Sequence, residues 1–142
     1  MRDYKIMFFT DDDADDLHLM KEVADSLGHD SQLFHDPAKM LAQLNGEETK
    51  PDIIFLDIRM PLIDGFEVLE KLRSSDFNDI PVVIHTANSD EKSISKCFEL
   101  GANYYITKAY NFQNMKSAME HAINKDWTIF KPTREDFLYI HQ

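Results

Sequence analysis

Short apolar runs alternate with amphipathic stretches along the chain. Ile6 to Phe9 is apolar at every position, which predicts a strand covered on both sheet faces. Leu17, Met20, Val23, Ala24 and Leu27 recur at helical spacing, and Gly28 supplies a stop. A weaker strand over Gln32 to His35 leads into Asp36-Pro37, an N-cap with proline at the first helical position. Met40, Leu41 and Leu44 line that helix, which should end near Asn45-Gly46. Ile53 to Leu56 is the strongest strand, followed by a helix carrying Phe66, Leu69 and Leu72. Pro81 to Ile84 predicts a fourth strand. Asn88 with Glu91 resembles a capping box for a helix through Ile94, Cys97 and Phe98, which Gly101 stops. Tyr104 to Ile106 is a fifth strand, and Phe112, Met115, Met119, Ala122 and Ile123 mark a last helix.

Strict strand–helix alternation implies an α/β fold, a parallel sheet doubly wound with helices through right-handed crossovers. Ligands of such sheets bind beyond the carboxyl ends of the strands, at a topological switch point. Here the first strand delivers Asp11, Asp12 and Asp13 to that rim, the third Asp57, the fourth Thr86, and the fifth Thr107 and Lys108. The second offers only His35 and Asp36, at an edge. Carboxylates, a hydroxyl and an ammonium on one rim are the chemistry of a phosphoryl site with a divalent metal.

The stretch FFTDDDADDLHLM also admits a calcium reading. Asp11, Asp13 and Asp15 stand at positions 1, 3 and 5 of a calcium loop, with Glu22 at position 12. Such a loop needs glycine where Asp16 stands, and a helix rather than a strand coming in. Asp13 is expected to cap the first helix, with Asp15 and Asp16 favoured at its N-terminus by the macrodipole.

Charge narrows the partners. With 26 Asp and Glu against 15 Lys and Arg, the formal charge of −11 should repel nucleic acid and anionic membranes, and no basic patch offsets it. The apolar runs are too short to span a bilayer. With 43% hydrophobic residues, 142 residues suffice for one domain with a sizeable core. The single cysteine, Cys97, excludes an internal disulfide and fits a reducing cytoplasm.

Four stretches together, FFTDDD, PDIIFLDIRMPLIDGFEVLEKLR, PVVIHTA and GANYYITK, resemble the receiver domain of bacterial two-component response regulators, colinearly over residues 4 to about 124. The resemblance implies a flavodoxin-like five-stranded sheet in the order 2-1-3-4-5. It implies that Asp57 accepts a phosphoryl group from a histidine kinase or phosphotransfer protein. Asp11, Asp12, Asp57 and the backbone carbonyl of Arg59 would hold Mg2+, Lys108 and Thr86 would contact the phosphoryl oxygens, and Tyr105 would change rotamer with Thr86. Such a chain is a phosphoacceptor with intrinsic dephosphorylation rather than an enzyme. Its expected outputs are an unidentified downstream protein and, as an open option, a second copy of itself. A phosphorylation-independent interaction module and an Asp-nucleophile hydrolase are the alternatives. The hydrolase would want an acid two residues after Asp57, where Arg59 stands.

Three departures from the family pattern matter. Ala109 follows Lys108 where the family has proline after a cis bond, and a cis bond before a non-proline residue costs roughly 3 kcal/mol. Arg59 sets a long cation at the mouth of the site and, with Asn88, is expected to tune dephosphorylation. Beyond a receiver domain over residues 1–125, residues 126–142 (DWTIFKPTREDFLYIHQ) form an extension apolar enough to pack on the domain or on a partner, and too short for a DNA-binding output domain.

Overall fold

A computed structural model of the chain describes residues 2–46, 49–61 and 63–141. Strands and helices alternate: β1 (Ile6–Thr10), α1 (Ala14–Ser26), β2 (Asp30–Phe34), α2 (Pro37–Asn45), β3 (Ile53–Leu56), α3 (Gly65–Arg73), β4 (Val82–Thr86), α4 (Glu91–Glu99), β5 (Tyr104–Thr107) and α5 (Phe112–Ile123). All five strands are parallel, in the order β2-β1-β3-β4-β5. The order reverses between β1 and β3, so the ends of those two strands open the crevice at the switch point.

Every residue of β1, β3 and β4 is buried, as their continuous apolar runs require. Successive side chains go to opposite faces. Phe8, Ile54, Leu56, Ile84 and Tyr105 pack against Met40, Leu69, Leu72, Ile94 and Cys97 of α2, α3 and α4. Met7, Phe9, Phe55, Val83 and Tyr104 pack against Leu17, Met20, Val23, Met115 and Met119 of α1 and α5. Burial pushes the Cys97 thiol up to about 12, so it acts as a small apolar residue.

The helix starts are set by polar caps. Asp13, Asp36, Asp64, Asp90 and Asn111 each accept a backbone N–H of the first turn. For α4 this departs from the capping box expected at Asn88: Asp90 is the cap, and Asn88 instead accepts the Asp90 N–H at 2.8 Å. Gly28 and Gly101, just past α1 and α4, hold φ of 81° and 95°, a region that glycine enters without strain. The β2 boundary also moves, because the pairing of Ile6 with Asp30 draws Asp30 and Ser31 into the ladder.

Residues beyond α5 return to the sheet. The Tyr105 N–H donates to the Phe137 carbonyl at 3.0 Å, and the Tyr139 N–H donates to the Tyr105 carbonyl at 2.9 Å. Tyr105 and Leu138 form a parallel bridge, so this segment lies along the outer edge of β5 and covers what would be an open strand edge. Phe137 is fully buried, which is worth about 1.5–3 kcal/mol. No described helix is long and apolar enough to cross a membrane.

Candidate functional site

The sheet ladder continues past the strand ends and holds the rim in place. The Asp11 N–H donates to the Phe34 carbonyl, Asp57 N–H to Thr10 and Lys108 N–H to Thr86, at 3.1, 3.0 and 2.8 Å. Asp11 and Asp57 are thereby fixed side by side with their carboxylates buried. Each closes a local turn: Asp11 Oδ1 accepts from the Asp13 N–H at 3.0 Å, and Asp57 Oδ1 from the Arg59 N–H at 2.9 Å. The second oxygen of each faces the Lys108 ammonium, at 3.0 Å in both cases. The contact to Asp57 is a hydrogen bond. Asp11 Oδ2 is near enough for an ion pair but poorly aligned, and it is buried with no hydrogen-bond donor.

Asp12 is exposed beside this pair, and oxygens of Asp11, Asp12 and Asp57 lie within 4.8 Å of one another. Burial pushes the Asp11 carboxyl up to about 7; the Asp13 N–H bond opposes this, the Asp57 charge adds to it, and Lys108 opposes it. Burial alone would lower the Lys108 ammonium, but the hydrogen bond to Asp16 and the adjacent Asp11 and Asp57 carboxylates outweigh it and push its pKa up. The acidic cluster fits a divalent metal site: among the described residues three carboxylates, one oxygen undonated, crowd together with a single cation to balance them.

From sequence, Asp16 is only a charge suited to the N-terminus of α1. The structure brings it into the site, buried, with Oδ2 at 2.6 Å from Lys108 Nζ. The signal was its periodicity: Asp16, Met20 and Val23 share the inward face of α1, so this charge had to find a partner.

The other site residues sit around this centre. Thr86 is fully buried at the end of β4, its hydroxyl accepting a long 3.4 Å bond from the Asn88 N–H. The Arg59 side chain is exposed, and only its N–H engages Asp57. Asn88 turns toward the start of α4, its amide donating to Ser93 Oγ at 2.8 Å. Tyr105 lies on the α4 side of the sheet, fully buried, its hydroxyl donating to the Asn88 carbonyl at 2.5 Å. Asp13 caps α1 through Asp15 and Asp16 N–H groups, and a strand leads into the acidic loop, so the calcium-loop geometry is absent there. No described peptide bond is cis, Lys108–Ala109 included.

The family model for the response regulator receiver domain matches residues 7–120. Over 119 residues the chain is 30% identical to response regulator Rcp1 of Synechocystis, covering 78% of this chain and 81% of that protein. Of other curated relatives it spans between 24% and 54% of the length. Among solved structures, the Mn2+-bound form of Rcp1 superposes with a TM-score of 0.76 at 28% identity, over 91% of this chain and 99% of that one. The phosphorylated cyanobacterial phytochrome response regulator RcpA gives 0.77 at 30% identity, over 92% and 99%.

Proposed function

The chain belongs to the response regulator receiver domain family, and from that premise we propose that Asp57 is its phosphoacceptor, charged by the phosphohistidine of a sensor kinase or a phosphotransfer protein. The observation that carries this reading is the convergence of the Asp57 carboxylate with Asp11, Asp12 and the Lys108 ammonium at the switch point. In the step, an Asp57 oxygen attacks phosphorus, the phosphorus–nitrogen bond breaks with its electron pair leaving on the imidazole, and an acyl phosphate forms. Phosphoryl transfer needs chiefly positioning and neutralisation of the oxygens. Lys108 already faces Asp57 and supplies one positive charge to the transferring group.

Mg2+, held by Asp11, Asp12, Asp57 and the Arg59 carbonyl, supplies the remaining neutralisation when bound. That the relative Rcp1 has an Mn2+-bound form supports a divalent ion as the cofactor of this chain. Receiver domains are phosphoacceptors rather than enzymes; loss of the group here is slow intrinsic hydrolysis, tuned by Arg59 and Asn88 beside the pocket. The Thr86 hydroxyl turns to a phosphoryl oxygen, Tyr105 and the α4 face respond to about two added negative charges, and a downstream protein reads the change.

Incubation with acetyl phosphate and Mg2+, followed by intact-mass measurement, tests this. One added phosphoryl group is expected, lost with Asp57→Asn and with a chelator. A gain that survives Asp57→Asn overturns the assignment, and no gain at all leaves a phosphorylation-independent binding module.

A further inference from the structure

The segment along β5 touches the pocket's surroundings at two places. Tyr105 gives both its backbone groups to the segment and its hydroxyl to the carbonyl of Asn88, in the loop that follows Thr86. His141 Nε2 lies 2.7 Å from the Thr107 carbonyl, one residue before Lys108. Between these ends Phe137 is buried against Phe98 of α4 and against the Tyr105 ring, with centroids at 5.3 and 6.1 Å. Arg134 reaches from the segment to Glu91 and Ser95 on α4. The Tyr105 ring therefore cannot swing outward while Phe137 is seated over it.

We propose that residues 133–141 are an intramolecular strap coupled to Asp57: seated, it holds Tyr105 inward in the arrangement that suits the phosphorylated pocket, and phosphorylation in turn tightens the strap. This rests on the phosphoacceptor reading of Asp57. The direction follows from Thr86. With Tyr105 inward, its hydroxyl fixes the Asn88 carbonyl, and the Thr86 hydroxyl keeps only the long bond from the Asn88 N–H. That weakly held hydroxyl is available to a phosphoryl oxygen only while the inward Tyr105 holds the Asn88 loop in this place, which ties it to the seated strap. An outward Tyr105 would expel Phe137 and expose a large apolar surface. Since coupling is reciprocal, whatever stabilises Thr86 toward the phosphoryl group stabilises the seated strap by the same factor.

The test is hydrogen exchange of the intact chain with and without acetyl phosphate and Mg2+, with intact mass recording the phosphoryl group in the same samples. The Tyr139 amide, which donates to Tyr105, should exchange about fivefold more slowly once Asp57 is phosphorylated. Phe137→Ala should speed that exchange and shorten the acyl phosphate lifetime by a similar factor, and Phe137→Leu should restore most of both. Arg134→Ala removes an anchor outside the core and should act in the same direction, more weakly. Unchanged or faster Tyr139 exchange in a sample whose mass shows the phosphoryl group overturns the strap while leaving Asp57 as acceptor. A sample that takes no phosphoryl group overturns both.

Discussion

Asp16 Oδ2 stands closer to the Lys108 ammonium, at 2.6 Å, than Asp57 Oδ2 does, at 3.0 Å. Among the described residues Lys108 is thus the one cation shared by Asp11, Asp16 and Asp57, its side chain 7% exposed. Removing it leaves buried carboxylates without compensation, a change that typically costs 3–5 kcal/mol. Lys108→Met should therefore destabilise the metal-free protein by about 3 kcal/mol in urea denaturation with a chelator present. Asp16→Asn should cost less than Lys108→Met, because Lys108 keeps two carboxylate partners. Excess Mg2+ should recover part of the Lys108→Met loss; equal losses with and without it would count against a shared charge balance.

Asp12 makes the opposite case. It is exposed, makes no side-chain hydrogen bond among the described residues, and adds negative charge within reach of Asp11 and Asp57. Without metal its contribution is repulsion, so Asp12→Asn should raise the stability of the metal-free protein by about 1 kcal/mol. Mg2+ is held by few carboxylates, so the same substitution should weaken Mg2+ binding about tenfold or more by calorimetry. Unchanged Mg2+ affinity in Asp12→Asn would show that Asp12 is not part of the metal set.

The strands were legible because β1, β3 and β4 are covered on both faces and leave unbroken apolar runs, so the residue ending each run is already a rim residue. Asp11, Asp57 and Thr86 could be read that way. Asp16 could not be read from charge alone, since an acid in the first turn of α1 suits the macrodipole whether or not it faces inward. The seat of residues 133–141 was legible only as apolar content. Parallel pairing with β5 runs through the backbone groups of Tyr105, Phe137 and Tyr139, which write no pattern in the side chains.

Gly65 opens α3 directly under the Asp57–Ile58 backbone. A Cβ there would lie 2.3 Å from Ile58 Cα and 2.9 Å from the Asp57 carbonyl oxygen, both backbone atoms that a rotamer change cannot move. Gly65→Ala must push the Asp57–Ile58 backbone away, at about 1–3 kcal/mol for such overpacking. The displaced Asp57 should then lose its fixed distance to Lys108, and phosphoryl uptake from acetyl phosphate should slow about tenfold or more. Wild-type uptake in a folded Gly65→Ala protein would show that this contact does not set the position of Asp57.

His85 sits on β4 next to Thr86, 3% exposed, with neither ring nitrogen hydrogen-bonded among the described residues. Burial pushes its pKa down to about 3; the Lys108 charge adds to this, Asp57 opposes it, and His141 adds to it. In the unfolded chain the ring titrates near its ordinary value of about 6.5. Between these values the unfolded state binds a proton that the folded state does not, so stability falls as the pH drops. The fall begins near pH 6.5, proceeds at about 1.4 kcal/mol per pH unit and ends near the folded value. Carboxylates add slopes of their own, so the informative quantity is the difference between the protein and His85→Met. The variant should be at least as stable at pH 7, because it removes unpaired nitrogens from the core. It should also lose stability less steeply between pH 6 and pH 4, by about 1.4 kcal/mol per unit in urea denaturation. Parallel curves for the two proteins would mean that the His85 ring protonates in the folded state as readily as in the unfolded one.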